Sequence, residues 1–116
     1  MYYQRFNNKL KYGNIRTEYR GGSFMSKKEA RKAQELDLLK ENGDIKDWKK
    51  QFKLSLDVNG QHVTNYFLDF MIEENDGTFT YLEIKSPITC TDVWKLKWKL
   101  AQILYPDPNI KWTVEM

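Results

Sequence analysis

The chain holds one cysteine, Cys90, and one histidine, His62, among 116 residues. A single thiol excludes an internal disulfide and fits a reducing compartment; a single imidazole excludes a histidine-rich metal centre. No apolar run approaches the roughly 18 residues that a membrane helix needs. No charged-then-apolar leader opens the chain, so a soluble cytoplasmic protein is expected. Repeats and low-complexity tracts are also missing. What is present is a globular composition, 41% hydrophobic and 15% aromatic, in a length that suits one domain.

Charge is unevenly spread. Residues 1–28 carry Arg5, Lys9, Lys11, Arg16, Arg20, Lys27 and Lys28 against Glu18 alone, although the net charge of the whole chain is only +3. Tyr2, Tyr3, Phe6, Tyr12 and Tyr19 interleave with these bases, and Gly21-Gly22 marks a hinge. We therefore expect a basic, aromatic arm over 1–22 and one domain over 23–116. Lysine and arginine attract phosphate backbones and rings stack on bases, so nucleic acid is the expected partner. A solubilising tail and an arm exchanged between subunits are the competing readings.

Residues 65–85 hold the densest pattern. Asn65–Ile72 and Phe79–Lys85 are short runs rich in aromatic and β-branched residues, separated by Asn75-Asp76-Gly77. They predict a β-hairpin whose three-residue loop pairs Glu74 with Thr78. That register opposes Asp69 to Glu83 and Phe67 to Lys85, with Leu68, Phe70, Ile72, Leu82 and Ile84 on the other face. Directly opposed carboxylates repel. A hard divalent cation resolves the conflict, because Mg²⁺ takes carboxylate oxygens and keeps several waters. Lys85, two residues beyond Glu83, projects on the same side toward a water or a phosphate oxygen. An edge hairpin with scattered solvated charges is the alternative.

Flanking elements follow. Ser26-Lys27-Lys28-Glu29 is a capping box and Asn42-Gly43 a stop, giving a helix over 27–41. At about 100° per residue, Glu29 falls within the apolar arc of Ala30, Ala33, Leu36 and Leu39. It can therefore serve as a cap, as a third carboxylate turned to the sheet, or as both. Gln51–Val58 alternates as a strand before Asn59-Gly60. A two-residue turn there sets Val58 against Gln61; a three-residue loop sets Phe52 against Leu68 and Gln51 against Asp69. The second keeps apolar residues together and places Gln51 beside the carboxylates. His62 reads as a surface residue. Thr89 or Thr91 caps a second helix through Tyr105, with Val93, Leu96, Leu100, Ile103 and Leu104 as its core stripe, widened by Trp94, Trp98, Ala101 and Tyr105. Lys95 and Lys99 share one face of it, available to phosphates. Ile110–Val114 forms a last strand, parallel to the Glu83 strand.

This order, with Glu on the first helix, Asp on the second strand and Glu-x-Lys on the third, resembles the PD-(D/E)xK nuclease superfamily. Ser26-Lys27-Lys28-Glu29-Ala30, Glu35-Leu36, Gly43-Asp44-Ile45, Asp69-Phe70, Glu83-Ile84-Lys85 and Lys97-Trp98-Lys99-Leu100 are similar to a small phage-borne family related to the phage endonuclease I type of Holliday-junction resolvase. The resemblance covers residues 22–112. It implies a restriction-endonuclease-like αβββαβ core with a mixed sheet flanked by helices. It implies Glu29, Asp69 and Glu83 as ligands of Mg²⁺ or Mn²⁺, Lys85 as the catalytic lysine, and Gln51 in support. Leu68 before the Asp, Ser86 after the Lys, and the lack of a Pro after Gln51 depart from the pattern. The implied function is a metal-dependent endodeoxyribonuclease acting on branched or structured DNA in phage or mobile-element recombination. A non-cleaving DNA-binding module, or the endonuclease subunit of a transposase-like complex, is the alternative. Junction symmetry and the surplus of large rings (Trp48, Trp94, Trp98, Trp112, Tyr105) lead us to expect a homodimer, with no membrane partner.

Overall fold

The computed structural model describes residues 17–18 and 24–116, with side chains from Ser26 onward. The expected arm, with Arg5, Lys9, Lys11, Arg16 and Arg20, lies outside the described residues apart from one short strand. Eight elements follow in order: β1 (Thr17–Glu18), β2 (Phe24–Met25), α1 (Lys27–Glu41), β3 (Asp47–Val58), β4 (Gln61–Glu73), β5 (Phe79–Ile84), α2 (Asp92–Leu104) and β6 (Ile110–Glu115). β1 and β2 pair antiparallel as a two-stranded ladder. The protein is α/β: β3-β4-β5-β6 form a four-stranded mixed sheet, with β6 parallel to β5. Residues 36–116 make one compact unit.

Local chemistry sets the element ends. Ser26 Oγ accepts the Glu29 N–H at 3.2 Å, as a cap requires. At the other end Gly43 adopts φ +81°. The Asp44 N–H reaches the Leu39 carbonyl at 2.8 Å and the Gly43 N–H that of Lys40 at 3.0 Å, a Schellman closure. α1 buries Ala30, Ala33 and Leu36 and leaves Leu38 60% exposed. Thr91 caps α2 by accepting the Trp94 N–H at 3.1 Å.

The β4–β5 hairpin has the expected register. Glu74 N–H bonds the Thr78 carbonyl at 2.9 Å, Gly77 sits at φ +89°, and Phe70 faces Leu82. The β3–β4 turn combines the two alternatives. Asn59 (φ +52°) and Gly60 (φ +80°) make a two-residue turn pairing Val58 with Gln61. An irregularity between Leu56 and Asp57 then shifts the ladder, so that Phe52 still faces Leu68.

Two expectations are corrected. Leu68 does not share a face with Phe70 and Ile72: it joins Leu54, Leu56, Tyr66, Met71, Tyr81 and Ala101 in the core under α2, whereas Phe70 meets the Trp48 ring at 5.7 Å. Alternation breaks at Asp69, level with Gln51, whose left-handed backbone (φ +51°) interrupts β3. On α2, Val93, Leu96 and Ile103 are exposed (64, 68 and 65%). The sheet is met by Trp94, Trp98, Leu100, Ala101, Leu104 and Tyr105 instead, because large flat rings cover more of it than branched aliphatics do. The rings counted as surplus are used within the chain: Trp94 stacks on Trp98, Trp98 meets Trp112 edge-on, and the Trp48 indole donates to Asp37 at 3.0 Å. Among the described residues no helix is long and apolar enough to cross a membrane.

Candidate active site

The β4–β5 ladder ends at Phe70–Leu82. Just beyond, side chains replace carbonyls as acceptors: Glu83 Oε2 takes the Asp69 N–H at 2.9 Å, and Asp69 Oδ2 takes the Ile84 N–H at 2.8 Å. The repulsion expected between opposed carboxylates is thus met by each acid holding a backbone amide, and hydrogen bonds to charged groups are worth about 1.5–3 kcal/mol each. Glu83 is 1% exposed and Asp69 9%. Burial drives the Glu83 carboxyl above its usual range, partly offset by the Asp69 amide, the Lys85 ammonium and the Tyr66 hydroxyl.

Lys85 Nζ lies 3.3 Å from Glu83 Oε1 and 4.6 Å from the centre of the Trp94 ring. The Trp94 indole N–H donates to the Tyr66 hydroxyl at 3.0 Å. Tyr66, 4% exposed, has its phenol pushed well above the ordinary value, by burial first and then by the Glu83 charge. In the sequence Tyr66 and Trp94 read only as apolar rings on their elements.

Asp69, Glu83 and Lys85 are therefore brought together. Gln51 is exposed and level with Asp69, between the Lys50–Phe70 and Phe52–Leu68 pairs. A non-glycine residue held at positive φ stores strain of order 1–3 kcal/mol, a cost that clusters at functional sites. Glu29 is half-buried on the first turn of α1, N-terminal to the 36–116 unit. Lys27, Lys28, Lys95 and Lys99 are exposed. His62 is a surface residue, its Nδ1 2.8 Å from Asp57 Oδ1. A cleft of about 440 Å³ opens beside the 75–77 turn, lined by Asp44, Glu74, Asp76 and Lys111 among others, and shares no residue with the carboxylate pair.

Among the described residues no three His, Cys, Asp or Glu side chains are gathered closely enough to hold a metal ion. The donor set is thus a pair of carboxylates, both oriented by backbone amides. Such a pair fits a hard divalent cation, since Mg²⁺ is commonly bound through one or two carboxylates, with water and substrate phosphate completing the shell.

Residues 9–116 match a family described as "Protein of unknown function (DUF1064)". No curated protein and no solved structure matches the chain.

Proposed function

Because the chain belongs to the DUF1064 family, whose description assigns no activity, we propose its function from the site itself: metal-dependent hydrolysis of DNA phosphodiester bonds, within a PD-(D/E)xK-like core. The observation that carries the proposal is the buried Asp69–Glu83 pair, set where β4 and β5 part, with Lys85 Nζ 3.3 Å from Glu83. Burying two carboxylates is costly, and a site for a cation gives that cost a purpose.

In this reading Asp69 and Glu83 would hold Mg²⁺ or Mn²⁺. The bound ion supplies Lewis-acid polarisation of a phosphoryl oxygen and a water of lowered pKa. Lys85 orients the attacking water and offsets negative charge on the phosphoryl group as it is attacked. Asp69 keeps its ligating geometry through the Ile84 amide, and Glu83 through that of Asp69. Lys95, Lys99 and the basic residues from Arg5 to Lys28 supply non-specific phosphate contacts. Branched DNA is the proposed substrate. A homodimer is the proposed assembly: it gives the paired cuts a two-fold junction needs, and the exposed Val93, Leu96 and Ile103 of α2 offer it an apolar surface.

One observation favours a second reading, a non-cleaving DNA-binding module: Glu83 is already neutralised by Lys85 within the chain. Incubating the protein with supercoiled plasmid, linear duplex and four-way junction, in Mg²⁺ or in EDTA, separates the two. Nicking or junction cutting that needs Mg²⁺ supports hydrolysis. Retention of DNA without any cut in either condition supports the binding module.

A further inference from the structure

Glu83 and Lys85 share one strand end, yet the groups that fix them come from elsewhere in the fold. Tyr66 is on β4 and Trp94 on the first turn of α2. An indole N–H can only donate. Since it is spent on the Tyr66 oxygen at 3.0 Å, it dictates the direction of the next bond. The single Tyr66 proton is left to point away from the indole, on a phenol that stands close enough to Glu83 to feel its charge. The same indole presents its face to the Lys85 ammonium at 4.6 Å. A lysine on four rotatable carbons is otherwise poorly fixed; here an anion on β5 and a ring on α2 hold it from two sides. Trp94 itself is anchored by the Thr91 cap at 3.1 Å and by stacking on Trp98 at 5.5 Å.

We propose that Tyr66 and Trp94 are positioning residues of this site, aligning Glu83 and Lys85 with one another through the Trp94–Tyr66 hydrogen bond, which sets the phenol beside Glu83, and one cation–π contact. Neither need touch the substrate. The inference rests on the reading of the site as a metal-dependent phosphodiesterase, and extends it to residues that carry no reactive group.

Three readouts on the full chain test it. Tyr66→Phe should lower kcat for DNA cleavage and Mn²⁺ affinity by calorimetry by about 10- to 100-fold, the usual cost of losing a partner that orients a ligand. KM for DNA should stay within about two-fold, since no DNA-contacting group is lost. Trp94→Phe, which keeps a ring over Lys85 but removes the N–H, should give a smaller loss in the same direction. Independently of activity, the Trp94 indole ¹⁵N–¹H resonance should move in Glu83→Gln. A folded Tyr66→Phe with wild-type kcat and Mn²⁺ affinity overturns the proposal, as does an indole resonance blind to Glu83→Gln. If Tyr66→Phe does not fold, Trp94→Phe decides on the same measurements. Failure of the underlying reading looks different: wild type itself takes up no Mn²⁺ and cuts nothing, and the positioning role falls with it.

Discussion

Two charged clusters on this sheet use similar contacts to opposite effect. At the β3–β4 turn, His62 Nδ1 and Ser55 Oγ each lie 2.8 Å from Asp57 Oδ1. At the end of β5, Lys85 meets Glu83 at the longer distance of 3.3 Å. The first pair of side chains is half exposed, at 51% each; the second is at 13% and 2%. At the turn, hydrogen bonds from His62 and then Ser55 lower the Asp57 carboxyl. At the strand end, loss of water raises the Glu83 carboxyl despite three favourable partners. Contact length does not rank the clusters; burial does. The exposed one also fails as a catalytic relay. Both Ser55 and Asp57 bond the same nitrogen of His62, whereas a serine–histidine–aspartate relay needs one on each side of the ring.

The contrast breaks most visibly in cleavage. Asp69→Asn, Glu83→Gln and Lys85→Met should each reduce plasmid nicking by about 1,000-fold or more, a loss of several kcal/mol of charge stabilisation, with far-UV circular dichroism unchanged. Loss of fold in all three, with no cleavage by wild type, would make the buried cluster purely structural. Deleting residues 1–20 should act next, on binding alone. With a slope of about 0.9 per neutralised phosphate on duplex, losing three contacts flattens the salt dependence measurably; an unchanged slope reassigns the arm to assembly.

Smaller effects sharpen the comparison. Because the folded state raises the Glu83 carboxyl, the folded chain keeps that proton to higher pH than the unfolded one. Its contribution is fully present below the unfolded value, about 4.3, and is lost as pH rises through the raised value. Glu83→Gln should remove this downward slope, leaving the metal-free protein as stable at pH 7 or slightly more so, by denaturant titration. A variant markedly less stable at pH 7 would show that Lys85 and Tyr66 outweigh burial. Smallest of all, Asp57→Asn and His62→Ala should leave cleavage within about two-fold of wild type, as befits an exposed pair.

Much of this architecture was readable beforehand, for identifiable reasons. The span of α1 was announced by Ser26 and Gly43, and the β4–β5 register by the turn at Asn75-Asp76-Gly77, although alternation fails at Asp69. β3–β4 was harder, because Asn59-Gly60 and the apolar pattern demanded different registers; the irregularity at Leu56/Asp57, which no local residue signals, satisfies both. The α2 stripe was misread since hydropathy ranks Val93, Leu96 and Ile103 with the rings and cannot say which side meets the sheet. Asp69, Glu83 and Lys85 were legible because pairing follows from turn length. Tyr66 and Trp94 were not: their bond joins residues 28 apart. The burial of the Lys50 ammonium, opposite Phe70, is equally invisible to alternation.

The central claim is that Asp69 and Glu83 form a site for a cation rather than a buried structural pair. Calorimetric titration of Mn²⁺ into the wild type, Asp69→Asn and Asp57→Asn tests it most directly. The account predicts saturable binding to wild type and to Asp57→Asn, abolished in Asp69→Asn. Equal binding by all three, or none by wild type, would contradict it.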